Sequence, residues 1–312
     1  MVKTIKVEVE MEYHKPALLN ESVDGLSILA DGCYVDVTFG GGGHSKEILK
    51  RLSEKGKLFA FDQDPDAESN RLDDSRFALI AQNFSFLKNF LRMYNAIPVD
   101  GVLADLGVSF HQFDVPQRGF SFRFEGPLDM RMDQKRKITA AKVVNSYSTE
   151  QLEFIFKEYG ELRNAKQIVQ RIEEARKGKK ITTVEGLKEI LKDITPEKVQ
   201  HKFLAQVFQA LRIEVNEELK VIQDLLEQTV EVLKGGGRMS VITYHSLEDR
   251  LVKNFFKTGN VQGKVEKDFF GNLIRPMEPV NRKPIVPNGA EISENNRSRS
   301  AKLRIAEKVK LN

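Results

Sequence analysis

Four consecutive glycines and a histidine, Gly40-Gly41-Gly42-Gly43-His44, stand between a stretch rich in β-branched and aromatic residues (34–39) and a segment of helical periodicity. A strand, a tight glycine turn and a helix in that order let backbone N–H groups and the helix N-terminus approach a nucleotide closely. Asp62 closes the next apolar stretch (57–61) and lies 22 residues after Gly40. That is close to the offset of about 20 residues at which a carboxylate accepts hydrogen bonds from a ribose diol. The plainer alternatives are a flexible loop for the glycines and a helix N-cap before Pro65 for Asp62.

The kind of nucleotide follows from what the turn lacks. Counted from Gly40 the sixth position is Ser45, and from Gly41 it is Lys46, so the third glycine of a dinucleotide fingerprint is missing. No Gly-x4-Gly-Lys-Ser/Thr string occurs either. A ligand with adenosine and no pyrophosphate fits, and S-adenosylmethionine meets that description: a ribose for Asp62, and a cationic sulfonium for Asp36 and Asp105. The rivals are an NAD-dependent oxidoreductase, which needs the absent glycine, and a non-catalytic RNA-binding scaffold, which would have lost its acidic strand ends.

Asp105 ends a further strand-like stretch (101–104) and leads into Leu106-Gly107-Val108-Ser109-Phe110-His111-Gln112. Beyond it, Arg118-Gly119-Phe120-Ser121-Phe122-Arg123-Phe124 interleaves aromatic rings with guanidinium groups, as where bases stack and phosphates are neutralised. Its alternative is a small aromatic core at a subdomain junction. His111 and His245 lack the spacing of a metal site, so no metal is expected.

Strands alternating with helices around these residues imply a doubly wound, parallel α/β sheet. The next clear strand, residues 238–244, follows a helix over 215–234 that Gly235-Gly236-Gly237 closes. A crossover needs about 30 residues, far fewer than separate Asp105 from Arg238, so residues 115–212 are expected to form a helical insertion. Ser148 with Gln151 and Thr182 with Glu185 form capping-box patterns, and Thr195-Pro196 marks a helix start. The core is then residues 1–114 and 213–312, with one last strand near 301–305.

Composition narrows the class. The chain has 312 residues, 40% of them hydrophobic, and a formal charge of +4. Residues 251–312 carry 13 Lys/Arg against 6 Asp/Glu, so the basicity is concentrated at the C-terminal end. The single cysteine, Cys33, excludes an intramolecular disulfide. With no signal-peptide pattern and no apolar run near the roughly 18 residues of a membrane span, a cytoplasmic protein without membrane partners is expected.

Several strings, in order, resemble the RsmH/MraW family of bacterial ribosomal RNA methyltransferases: HKPALL (14–19), DVTFGGGGHS (36–45), FDQDP (61–65), DGVLADLGV (100–108), RGFSF (118–122), GPLDMRMD (126–133), FQALRIEVNEEL (208–219), YHSLEDR (244–250) and NRSRSAKLR (296–304). The resemblance implies a class I (Rossmann-like) S-adenosylmethionine-dependent methyltransferase sheet with an inserted all-helical subdomain. It implies methylation of the exocyclic N4 of a cytidine in the decoding region of 16S ribosomal RNA, within the small subunit or an assembly intermediate. Self-association as a homodimer is left open. By motif match Gly42, Gly43, His44, Asp62, Phe84, Asp105 and Gln112 would bind the cofactor, and the readings of the glycine turn and of the sulfonium's neighbours add Gly40 and Asp36. Arg118, Phe120, Phe122, Arg123, Arg297 and Arg299 are candidate RNA contacts, and Asp105, Ser109 and His245 are candidate proton acceptors. The chain departs from the family's Ser-Ser-Pro-Gln, having Ser109-Phe110-His111-Gln112, so the turn there can differ.

Overall fold

The computed structural model describes residues 16–195 and 197–310; His14, Lys15 and Pro196, which figured in the motif and helix-start readings, lie outside them. Seven strands form one sheet: β1 (Cys33–Asp36), β2 (Lys57–Phe61), β3 (Phe77–Ile80), β4 (Val99–Asp105), β5 (Leu233–Thr243), β6 (Met277–Pro279) and β7 (Lys302–Lys308). Their order is β3-β2-β1-β4-β5-β7-β6. The first five run parallel, whereas β7 is antiparallel to both β5 and β6. The sheet is therefore mixed, which corrects the all-parallel expectation. The strand expected near 301–305 extends to Lys308, and the three-residue β6 was too short to leave a periodic signal.

Alternating side chains explain why the sheet is covered on both faces. Val35, Phe59, Phe61, Val102, Ala104, Met239 and Val241 point to one side, against the helices Leu87–Met93, Glu218–Val232 and Ser246–Thr258. Tyr34, Leu58 and Leu103 point to the other, against Ile48, Leu49 and Leu52 at the end of the helix Gly43–Arg51 and Val23 of the helix Leu19–Gly25. Sequence order reverses between β1 and β4, and in open α/β sheets ligands bind outside the carboxyl ends of strands at such a point.

Between β4 and β5 the chain is helical and has its own apolar core, from Phe120 through Phe156, Ile168 and Leu187 to Val215. The helix Gln200–Asn216 runs unbroken past residue 212, so the expected boundary there cuts through a helix whose buried face belongs to the insertion as far as Val215. Ser148 and Gln151 form their capping box. At the next start the cap is Thr183, accepting from Gly186 N–H, one residue beyond the Thr182–Glu185 pattern. Gly235-Gly236-Gly237 does not close a helix: it lies inside β5, where the register with β4 slips between Val99 and Gly101.

Candidate active site

Three acidic strand ends and the glycine turn meet at the carboxyl edge of β1, β2 and β4. Gly40 has φ +50°, and a Cβ placed on it would meet nothing within 4 Å, so the turn opens toward free space. Its N–H donates to Asp62 Oδ2 at 2.8 Å, and Asp64 N–H donates to Asp62 Oδ1 at 2.8 Å. Gly42 caps the helix whose first residues are Gly43 and His44. His44 is buried, and its Nε2 has no hydrogen-bond partner among the described residues.

The three aspartates are not equivalent. Asp36 is fully buried, and Ser45 Oγ at 2.7 Å and Thr38 N–H at 3.1 Å occupy its carboxylate. It therefore braces the glycine turn from beneath, rather than facing the cleft as expected. Asp105 accepts from the Tyr244 hydroxyl at 2.8 Å, and His44 Nδ1 lies 3.9 Å from its other oxygen. Burial raises the carboxyls of both Asp62 and Asp105 to about 6. Backbone N–H groups oppose the rise at Asp62, and His44 and Tyr244 oppose it at Asp105. Burial, together with the neighbouring Asp105 carboxylate, pushes the Tyr244 phenol well up.

A cleft opens beside them, lined in part by Thr38, Gln63, Asn83, Phe84, Leu106 and Gly107. Gly107 has φ +101°, a backbone that side-chain-bearing residues rarely adopt. The rest of the lining comes from Met132, Asn216, Glu218, Val221, Ile222 and Glu248. Phe84, a residue of the motif match, lines this cleft, whereas Thr38, Gln63, Asn83, Glu218 and Glu248 had not been singled out. Gln63 and Asn83 adjoin Asp62 and Phe84 in sequence and hydrogen-bond each other at 2.7 Å. Thr38 Oγ1 accepts from Asp105 N–H at 2.7 Å, tying the ends of β1 and β4 together. Glu248 belongs to the YHSLEDR string, but nothing in its spacing told of burial.

Several expected roles change with burial. Ser109 and Gln112 form a reciprocal capping box that starts the short helix Phe110–Asp114 without the family's proline. Gln112 Nε2 then donates to Asp64 Oδ2 at 2.5 Å, so its amide is directed at the protein. Arg118 is buried and pairs with Asp64 and Asp66 at 2.8 Å each, while donating to the carbonyls of Arg131 and Met132. Phe120 is 3% exposed in the core of the insertion, and Phe122 packs edge-on against Phe208 and His201. The aromatic-arginine motif is thus mainly a junction core, which corrects the reading of Arg118, Phe120 and Phe122 as RNA contacts. Arg123 and Arg299 are exposed, and Arg297 forms a forked pair with Asp114.

His245 caps the helix Ser246–Thr258 and lies against Glu248, while Arg212 holds both oxygens of Glu218 at 2.8 and 3.0 Å. Glu218, His245 and Glu248 bring ligand-type atoms within 4.8 Å of one another, a cluster the sequence had not suggested. His111 contacts Asp66 at 3.2 Å at the surface.

A sheet of this topology, with a glycine turn and acidic ends on β2 and β4 beside a cleft, is that of an S-adenosylmethionine-dependent methyltransferase. The chain belongs to the MraW methylase family, whose model matches residues 11–309. It is 59% identical over 299 residues to Ribosomal RNA small subunit methyltransferase H of Flavobacterium johnsoniae, covering 96% of this chain and 99% of that one. Identity to the protein of the same name from Bacteroides thetaiotaomicron is 57%, covering 96% and 98%. Among solved structures, an rRNA methylase from Streptococcus thermophilus aligns with a TM-score of 0.42 and 15% identity over 95% of this chain and 98% of that one. No helix among the described residues is long and apolar enough to cross a membrane.

Proposed function

We propose that the protein transfers a methyl group from S-adenosylmethionine to the exocyclic N4 of a cytidine in the decoding region of small-subunit ribosomal RNA, acting on the small subunit or an assembly intermediate. The observation that carries this reading is that Gly40, Asp62 and Asp105 meet at the carboxyl edge of β1, β2 and β4, beside a cleft lined by the chain neighbours Gln63 and Leu106, in a member of the MraW methylase family. The site fits the cofactor: the glycine turn leaves open space, His44 offers an unpaired buried nitrogen, and carboxylates suit a cation. Asp62 would hold the ribose, Phe84 with Gln63 and Asn83 the adenine, and Asp105 with His44 the methionine end. Bound there, S-adenosylmethionine supplies an electrophilic methyl group on a positively charged sulfur.

The protein's own task is to position and deprotonate the nucleophile. Cytosine N4 delocalises its lone pair into the ring, so an acceptor for its proton is needed. Asp105 has that role in our reading: its carboxyl, raised to about 6, is ionised at neutral pH yet basic enough to take a proton. Ser109 and His245, the other candidates, have their accepting atoms engaged by helix-capping N–H groups. The target base must leave its stack to enter the cleft. Arg123 and Arg299, with half-exposed Phe124, are the RNA contacts that burial leaves open.

The test incubates the protein with labelled S-adenosylmethionine and unmethylated small subunits, followed by digestion to nucleosides and mass spectrometry. Label in N4-methylcytidine is expected. Label in another nucleoside, or none from protein shown to bind the cofactor, refutes the assignment of the acceptor.

A further inference from the structure

Among the described residues, the most exposed large apolar side chains are Phe269 and Phe270, 97% and 85% open to solvent. Their turn is built to keep them there. Asp268 N–H donates to the Asn272 carbonyl at 2.9 Å, and Gly271 N–H to the Asp268 carbonyl at 3.0 Å. The Asp268 carboxylate accepts from Phe270 N–H at 2.9 Å, Asn272 N–H at 2.8 Å and the Asn272 side-chain amide at 3.0 Å. Gly271, at φ +85°, supplies a left-handed position that few other residues tolerate. Beyond the turn the two arms pair, Lys267 with Leu273, and Ile274 N–H donates to the Glu266 carbonyl at 2.9 Å. The hairpin thus holds two rings, 5.6 Å apart and at 86° to each other, off the surface rather than against it. It also lies far from the cleft. The helix Ser246–Thr258 leaves the carboxyl end of β5, and its 13 residues carry the chain about 20 Å toward the amino edge of the sheet. β6, which follows the hairpin, begins at that edge, where Met277 pairs with Lys308 at the end of β7.

Charge around the rings favours one kind of partner. From Lys253 to Lys283 the chain has 7 Lys/Arg against 3 Asp/Glu. Asp268 is engaged within the turn, and Glu278 pairs with Arg275 at 2.8 Å. Lys253, Lys257, Lys264 and Lys267 are exposed, and none forms an ion pair among the described residues. Planar rings on a cationic surface suit unpaired bases and their phosphates, since every base offers a face to stack on and every linkage a charge to neutralise. An isologous contact with a second copy would instead set these lysines against one another. We propose that the hairpin is a second RNA-docking point, where Phe269 and Phe270 stack on unpaired bases of the small subunit's ribosomal RNA while Lys264 and Lys267 meet its phosphates. This rests on the ribosomal RNA reading above. At the edge opposite the cleft, the hairpin holds the particle without touching the reacting atoms, so it contributes to substrate affinity and not to turnover at saturation.

The experiment compares full-length F269A/F270A, F269Y/F270Y and F269L/F270L with the wild type in sedimentation binding to, and methylation of, unmethylated small subunits. All should unfold at the wild-type temperature, because neither ring is buried in the fold. F269A/F270A should weaken binding and raise KM by about ten- to a hundredfold, with kcat at saturating subunits and affinity for S-adenosylmethionine unchanged. Tyrosine keeps a planar face and should restore binding, whereas leucine, apolar but not planar, should not. K264Q/K267Q should reduce the slope of log affinity against log salt concentration by about 1.5. Ultraviolet irradiation of the bound complex should leave a nucleotide on the tryptic peptide 268–282, which contains both rings. Wild-type KM in F269A/F270A, or nucleotide adducts that spare this peptide, overturns the proposal. So does recovery by leucine, which would mark an apolar contact with ribosomal protein or a second copy. If the wild type forms no N4-methylcytidine on small subunits, it is the parent reading that fails.

Discussion

Replacing Arg118 by alanine separates two accounts of the same motif. The guanidinium is 7% exposed and bridges Asp64 and Asp66, after β2, to the carbonyls of Arg131 and Met132. Truncation leaves the carboxylate of Asp64 buried, with the Gln112 amide and the Asp66 N–H as its remaining side-chain partners. Removing one member of a buried ion pair costs about 3–5 kcal/mol, because the other charge stays desolvated. At about 2.1 cal/mol/K per residue, a chain of 312 residues unfolding as one unit loses about 1.5 °C per kcal/mol. Calorimetry should therefore show Tm falling by about 5–8 °C in R118A. If Arg118 instead meets phosphates, R118A should keep its Tm and lose affinity for small subunits with a shallower salt dependence. That second result would refute the structural role.

The pH dependence of cofactor binding has a definite sign. Asp62 and Asp105 are raised from 3.8 to about 6, so below pH 6 they are protonated and attract a sulfonium less. Calorimetric affinity for S-adenosylmethionine should tighten from pH 5 to pH 7 and then level off, and a flat profile would contradict this. The same shifts act oppositely on the unliganded fold. Between pH 4 and 6 the native state binds more protons than the unfolded chain, so this contribution to stability declines as pH rises through that window. Urea denaturation at pH 5 and pH 7 should show D105N less sensitive than the wild type. Y244F removes a hydrogen bond to ionised Asp105, so the midpoint of its binding profile should move to higher pH. D105N, with cofactor affinity measured in parallel, should lower kcat by about 10²–10⁴-fold, the usual worth of a positioned proton acceptor; wild-type turnover would remove Asp105 from that role.

What the sequence revealed and what it concealed divide along one physical line. Gly40, Asp62 and Asp105 were legible because strand-turn-helix chemistry acts over neighbouring residues: the pattern of apolar residues ends where the strand ends, and the polar residue just beyond must lie at the rim. The long helical stretch between β4 and β5 was legible from the chain distance between the strands and from capping-box patterns such as Ser148 with Gln151. Asp36 and Arg118 were misread because charge type does not disclose burial. Asp36 is covered by Ser45, nine residues on, whereas Arg118 is fixed by residues far from it in sequence, Asp64 before it and Arg131 after it. Glu218 and Glu248 were hidden for the same reason: they come from helices separated by β5, and only the fold brings them to the cleft that Phe84 also lines. Local pattern therefore located the glycine turn and the acidic strand ends. The residues that reach the cleft from later helices depend on long-range packing.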